Sequence, residues 1–389
     1  MKVLFVLLAL LSGSALASIQ RLVDENFGKS NQGSVKRLRS SLRPFRLFGG
    51  NSEIPAGSQT RIHGSTWVRL GRQIGKGSYG TVYESSLIID DRLMKSVALK
   101  IIEKEKFRPE EVVALRIMNN SGMTVNIYEA AFPCFEDSIC IVTELMGCSL
   151  QDYLATESPL EISIVLKILS KLSFILAKLK ENHIVHADIK PDNIFLTSCD
   201  HPESVVLGDF GSSYFPDQAK VGNPWGFFYR QALKYRAPEV LLKMSYSYPI
   251  DVWSVGVVMA DLFFPLHRIG FGKYPGNVWK NLIVSLQQLP KAKLLDQSNT
   301  PYFEPQLSGL WDLAAYPNLI KHPEAIKRWN IFKGFHALEQ TFEYENGKEI
   351  LKDTQDLLFR ILDFDPESRI EPIQMHEKLE SIIKAMSPL

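Results

Sequence analysis

The 389-residue chain contains no uninterrupted apolar run near the roughly 20 residues that a helix needs to cross a hydrocarbon core. Val255 to Phe264 is apolar but broken by Asp261, and Ile162 to Leu179 carries Lys167, Lys171 and Lys178 at helical spacing, the pattern of core helices in a folded domain. An excess of one charge sign is also missing. Lys plus Arg number 44 and Asp plus Glu 43, a net charge of +1, so no nucleic-acid partner and no wholesale binding to anionic membranes is expected. Cysteine is scarce, with Cys134, Cys140, Cys148 and Cys199 in no C-x-x-C pair, which argues against a structural zinc site. Four cysteines leave three full pairings open; disulfides are permitted but not indicated. What is abundant is apolar surface: 45% apolar against 22% charged residues supports one large core or two modest ones and excludes a disordered chain.

The charge is unevenly spread. Residues 1–50 hold eight basic residues and two acidic ones, so the remainder is net acidic. Lys2, the apolar run Val3 to Leu11 and the small-x-small triplet Ala15-Leu16-Ala17 read as a secretory signal peptide over 1–17; the competing reading, a membrane anchor, needs a longer run. Residues 26–51 have six basic groups and no acid, too little apolar surface to fold alone. A basic flexible arm or pro-segment is therefore expected over 18–66. It could be cleaved at Lys36-Arg37-Leu38-Arg39 or Arg43-Pro44-Phe45-Arg46, act as a second targeting signal, contact a membrane surface, or be a plain linker. Asn119-Asn120-Ser121 is a lone glycosylation sequon.

Beyond the arm, Val68 to Ile74 reads as a strand, Gly75-Lys76-Gly77-Ser78-Tyr79-Gly80 is glycine-rich, and Thr81 to Glu84 resumes β-type residues. Glycines between two strands let backbone N–H groups approach a polyphosphate, because no Cβ intervenes. A dinucleotide fingerprint would open into a helix, which Thr81-Val82 disfavours; a plain hairpin turn stays open. Lys100 is the one charge in the β-type run Ser96 to Ile102 and needs an anionic partner if buried. Phosphate oxygens could supply it, as could Glu111 in the helical segment Pro109 to Met118, with Glu110 the competing choice and a surface lysine the plain one.

The most specific signal is His186-Ala187-Asp188-Ile189-Lys190-Pro191-Asp192-Asn193, followed by Leu207-Gly208-Asp209-Phe210-Gly211. An acid to accept a hydroxyl proton, a lysine beside it, and Asn and Asp oxygens for magnesium form the layout of phosphoryl transfer. These residues resemble the eukaryotic protein kinase superfamily over roughly Val68 to Ile383. Gly75, Gly77, Gly80 and Val82 match the glycine-rich loop, Lys100 the phosphate-binding lysine and Glu111 its helix partner. Asp188, Lys190 and Asn193 match the catalytic loop, Asp209-Phe210-Gly211 the metal triplet, and Ala237-Pro238-Glu239 the end of the activation segment. Asp251 matches the helix anchor of the large lobe, and Arg369 the arginine that pairs with Glu239. The finer match, through Tyr235-Arg236-Ala237-Pro238-Glu239 and Ser247 to Ser254, is to the CMGC group and its DYRK-type and splicing-associated members, whose large-lobe insert would fall between Phe263 and about Thr354.

The resemblance implies a two-lobed α+β fold over 67–389, with a β-rich lobe at 67–145, a hinge near Glu144 to Cys148 and a helical lobe at 149–389. It implies ATP and Mg2+ as cofactors, a protein substrate and a monomer. Ile74, Gly75, Lys76, Gly77, Ser78, Tyr79, Gly80, Val82, Ala98, Lys100, Glu111, Thr143, Glu144 and Met146 would form the ATP site; Asn193 and Asp209 would hold metal; Asp188 and Lys190 would be catalytic. Lys190-Pro191 is similar to serine/threonine kinases. Tyr229 aligns with the tyrosine that DYRK-type kinases autophosphorylate, or packs beside Phe227 and Phe228. Two departures stand close to the catalytic acid. Ala187 replaces the usual arginine, and Ala232 replaces a hydroxyl residue expected to contact Asp188 and Lys190. Leu233 stands where CMGC members usually carry arginine, against a proline-directed preference. Taken together the sequence predicts a serine/threonine kinase of the secretory route, secreted or delivered to a secretory organelle or plastid-like compartment. The alternative is a kinase-fold scaffold that transfers nothing.

Overall fold

The computed structural model describes residues 54–77, 80–135, 137–216, 230–241, 244–265, 282, 286, 330–340 and 346–386. The expected leader and arm up to residue 53, Ser78, Tyr79, Tyr229 and most of the large-lobe insert lie outside these residues. The chain divides into two compact units. One ends at Leu145; the other comprises Met146 onward together with Ser121–Thr124.

Among the described residues the first unit is a six-stranded antiparallel sheet with one α-helix. Its strands are β1 (Gln59–His63), β2 (Thr66–Gly77), β3 (Gly80–Ile89), β4 (Arg92–Glu103), β5 (Ile127–Ala131) and β6 (Ser138–Glu144), in the order β1-β2-β3-β4-β6-β5. Helix α1 (Pro109–Ile117) follows β4, with Pro109 at its first turn, where a missing N–H costs nothing. Asp90 and Asp91 turn β3 into β4 with φ of 48° and 60°, the two-residue geometry whose twist suits a hairpin. Alternation puts Val68, Leu70, Leu87, Val97, Leu99 and Val142 on one face as the core. Burying each such side chain contributes about 1.5–3 kcal/mol. At Gly71 the two strands approach so closely that a Cβ would lie 2.3 Å from the Glu84 carbonyl oxygen.

Residues 59–63 fall within the segment assigned from sequence to the arm, yet they form β1, registered from Gln59 opposite Arg69 to His63 opposite Thr66. Thr60 and Ile62 point inward while Gln59, Arg61 and His63 are exposed, so the strand has a period of two despite its polar composition. Cys134 and Cys140 form a disulfide across the β5–β6 connection. In the sequon, Asn119 Nδ2 donates to Ile127 O at 3.2 Å and Oδ1 accepts from Ile127 N–H at 3.1 Å, so its amide already ties α1 to β5.

The second unit carries a small antiparallel sheet, β7 (Cys148–Ser149), β8 (Ile194–Leu196) and β9 (Val205–Leu207), and seven described helices. These are α2 (Leu150–Thr156), α3 (Ile162–Glu181), α4 (Pro238–Leu241), α5 (Pro249–Phe263), α6 (Ile331–Glu339), α7 (Gly347–Ile361) and α8 (Pro372–Met386). Ser149 starts α2 with a capping box: its Oγ accepts from Asp152 N–H, and Asp152 accepts from Ser149 N–H. In α3, Leu166, Leu169, Leu172 and Leu176 are buried while Lys167 is exposed, as the spacing predicts. α5 is buried almost all round, and Asp261, the charge that interrupts it, pairs with Lys234 and accepts from Tyr235 Oη at 3.1 Å. A second disulfide joins Cys148 to Cys199, so all four cysteines are paired. No helix among the described residues is long and apolar enough to cross a membrane.

Candidate active site

In the first unit the register gathers the sequence-predicted nucleotide residues. Val82 lies opposite Lys100, and Ala98 lies opposite both Glu84 and Thr143; positions two apart share a face, so Val82, Ala98, Lys100 and Thr143 line one side of the sheet. Gly75 pairs with Val82 and Gly77 with Gly80 at the strand ends that flank the glycine-rich connection, and Ile74 is exposed. Lys100 Nζ lies 2.6 Å from Glu111 Oε1, which settles the choice between the two adjacent acids: Glu111 is buried and Glu110 is exposed. Glu144 is fixed at the end of β6. Its N–H donates to Asn126 O and its Oε2 accepts from Asn126 Nδ2, both at 2.8 Å.

The second unit holds the acid–base cluster. After α3, the segment from His183 to Asn193 is irregular, ending in a single 3₁₀ turn, Pro191–Asn193, that leads into β8. This turn bends the chain back, so that side chains two and five residues apart meet on Asp188. Its Oδ2 accepts from Lys190 Nζ at 2.9 Å and from Asn193 Nδ2 at 3.0 Å; the same Nδ2 donates to Asp188 O at 2.8 Å. Its Oδ1 accepts from Ala232 N–H at 3.0 Å. The contact that Ala232 was expected to forfeit with its missing hydroxyl is thus supplied to Asp188 by the main chain.

Burial alone would lower the pKa of Lys190. The charge and hydrogen bond of Asp188, with Asp192 and Asp209 further out, outweigh it and raise the pKa above the ordinary lysine value. The ammonium is therefore fixed as a cation. Asn193 donates its amide nitrogen to Asp188, so its side-chain oxygen is the atom it could offer a cation. A neutral amide oxygen and the Asp209 carboxylate are the hard donors that magnesium takes with phosphate oxygens and water, so the residues present fit that ion. No cluster of three or more His, Cys, Asp or Glu side chains suited to a metal occurs among the described residues.

Buried groups fix the loop from behind. Asp251 in α5 accepts the N–H groups of His186 at 2.7 Å and Ala187 at 2.9 Å, while burial pushes its own pKa up. His186 Nε2 faces Gly208 O at 3.0 Å, and its Nδ1 faces the Asp188 N–H at 3.3 Å. Both contacts are satisfied by the tautomer protonated on Nε2. The His186 ring packs 4.6 Å from that of Phe210, and Gly208 N–H donates to Asn193 O at 3.0 Å, so the Asp209 segment and the Asp188 segment are stitched together. Ala187 and Asp209 both have left-handed backbones, φ 60° and 53°, a strain that clusters at functional sites. Glu239 and Arg369 form the expected pair, with both Glu239 oxygens engaged at 2.7 and 3.1 Å. Sequence reasoning missed Asn126 and Gln231; neither has a local pattern that marks its distant partners. Met146 opens the second unit, half-buried.

Comparison with known proteins agrees with this geometry. The family described as "Protein kinase domain" matches residues 68–300. The DYRK-family kinase pom1 of Schizosaccharomyces pombe is 29% identical, over 77% of this chain and 26% of that protein. Homeodomain-interacting protein kinase 1 of Caenorhabditis elegans is 28% identical over 75% of this chain and 33% of its own length. The dual specificity tyrosine-phosphorylation-regulated kinase mbk-2 of Caenorhabditis briggsae is 30% identical over 77% of this chain and 37% of its own. The chain thus spans about a quarter to two-fifths of the length of these relatives. With a β-rich unit, a helical unit and the Asp188 cluster in place, the chain belongs to the protein kinase domain family, and its DYRK-type relatives make it CMGC/DYRK-like.

Proposed function

We propose that the protein is an ATP- and magnesium-dependent serine/threonine protein kinase of DYRK-like type that enters the secretory pathway. The observation that carries the catalytic part is the convergence of Lys190, Asn193 and the Ala232 N–H on the Asp188 carboxylate. One oxygen engaged by Lys190 and Asn193 and the other by a backbone N–H leave an oriented base for a substrate hydroxyl. Lys190, held cationic, stabilises charge on the transferred phosphoryl group, and Lys100, oriented by Glu111, binds nucleotide phosphate. Magnesium, when bound by Asn193 and Asp209, neutralises phosphate charge. Transfer of phosphate from ATP to a generic basic protein tests the reading, beside Asp188→Ala and Asp209→Asn. Turnover should fall by about 10²–10⁴-fold in Asp188→Ala with the fold intact. Equal transfer by wild type and both variants would refute it, and no transfer by a folded wild type would favour a scaffold.

Secretory entry is supported by the leader-like residues 1–17 and by the pairing of all four cysteines, since structural disulfides persist in oxidising compartments. A reporter fused to residues 1–50 tests this part, and retention in the cytosol would remove it.

A further inference from the structure

Lys190 and Asn193 hold Oδ2 of the proposed base, but on the Oδ1 side the side-chain contact expected at position 232 is missing and a main-chain group takes its place. Ala232 N–H donates to Asp188 Oδ1 at 3.0 Å, and Gln231 N–H donates to Ala187 O at 2.9 Å. A main-chain donor is only as well placed as the backbone that carries it, and here that backbone is strained: Gln231 has φ 65°, a left-handed conformation that non-glycine residues seldom adopt.

The Gln231 side chain explains why it holds. Only 4% exposed, it donates from Nε2 to Ile250 O at 2.9 Å and to Ser254 Oγ at 2.8 Å, while its Oε1 accepts from Ala237 N–H at 3.0 Å. Its own carbonyl accepts from Arg236 Nη2 at 2.9 Å. Ile250 and Ser254 belong to α5, and so does Asp251, which grips the other side of the catalytic loop through His186 and Ala187. One buried helix therefore references both strands of contact to Asp188: the loop through Asp251 and the segment 231–232 through Gln231.

Resting on the reading of Asp188 as the base, we propose that Gln231 is a positioning residue for phosphoryl transfer, its carboxamide clamping the strained backbone to α5 so that Ala232 N–H orients the Asp188 carboxylate. A buried amide satisfied at both ends fixes its backbone in one conformation.

The test uses the full-length protein with Gln231→Met, which keeps the volume and removes the three side-chain hydrogen bonds. The kcat for transfer to a basic protein should fall about 10- to 100-fold while the KM for ATP stays within about twofold, when assayed well below the measured melting temperature. In an Asp188→Ala background the same substitution should lower the residual rate no further, because its effect passes through that carboxylate. Ser254→Ala removes one partner of the clamp and should lower kcat about 3- to 10-fold, and it decides the matter if Gln231→Met does not fold. Unchanged kcat in the folded variants, or an equal further loss without Asp188, overturns the inference alone. A wild type that transfers nothing overturns the functional reading and the inference together.

Discussion

The Lys100 ammonium lies 2.6 Å from Oε1 of Glu111, joining β4 to α1, and both side chains are largely withdrawn from solvent. Removing one member of a buried ion pair weakens what compensates the desolvation of the other, and that loss exceeds what the pair itself is worth. Glu111→Ala should therefore cost about 3 kcal/mol of stability, measured by denaturant unfolding, and should raise the KM for ATP. Glu110→Ala, on the exposed side of the same turn, should stay within about 0.5 kcal/mol. Equal losses from the two substitutions would contradict the pairing.

The Glu239–Arg369 pair is the most deeply buried ion pair described, with side-chain exposures of 1% and 0%. Arg369 also donates to Pro249 O and Asp363 O, and its guanidinium lies 5.2 Å from the Trp253 ring, so it ties the end of the activation segment to α5 and to the approach to α8. Arg369→Met should destabilise by about 3–5 kcal/mol. Combined with Glu239→Leu, the loss should be smaller than the sum of the single losses, since no orphaned carboxylate remains. Additive losses in a denaturation series would show that the two charges do not depend on each other.

What the sequence disclosed follows how local each signal is. Asp188, Lys190 and Asn193 fall within six consecutive residues, so their convergence needs only one tight turn, and their residue types already name the chemistry. The strands around Gly75 and Lys100 were legible from runs of β-type residues, and the helix from Ile162 from lysines at helical spacing in an apolar stretch. β1 was not, because five mostly polar residues adjoining a basic arm give a weak alternation that only pairing with β2 makes decisive. Gln231 was not, because its partners Ile250 and Ser254 lie about twenty residues away on a helix whose apolar pattern says nothing of its carbonyls. Cysteine pairing was closed to sequence for the same reason: three connectivities fit the composition, and only the fold brings Cys148 to Cys199.

Lys190 gives a pH dependence with a definite sign. Its pKa in the folded protein is raised above 10.5, so folding is favoured by binding its proton. The contribution is fully present below the unfolded value of 10.5 and is lost as pH rises through the higher folded value. The stability difference between wild type and Lys190→Met should then be flat from about pH 7 to 9 and shrink only above 10.5. A difference that shrank already between neutral pH and pH 9 in thermal or urea unfolding would mean that the folded protein does not hold this proton more tightly.

The two disulfides close loops of very different length, with partners separated by 51 residues for Cys148–Cys199 and 6 for Cys134–Cys140. If the crosslink acts by restricting the unfolded chain, its effect grows with the logarithm of loop size: about 4 kcal/mol for the long loop and about 2 kcal/mol for the short one. Replacing Cys148 and Cys199 by serine should therefore lower stability more than replacing Cys134 and Cys140. The comparison also bears on compartment, because a protein matured under oxidising conditions carries both crosslinks whereas cytosolic thiols stay reduced. Thiol titration of the denatured, unreduced protein recovered from a secreting host should find no free cysteine. Four titratable thiols in fully folded, secreted material would show that neither crosslink forms, and the secretory reading would then rest on the leader-like segment alone.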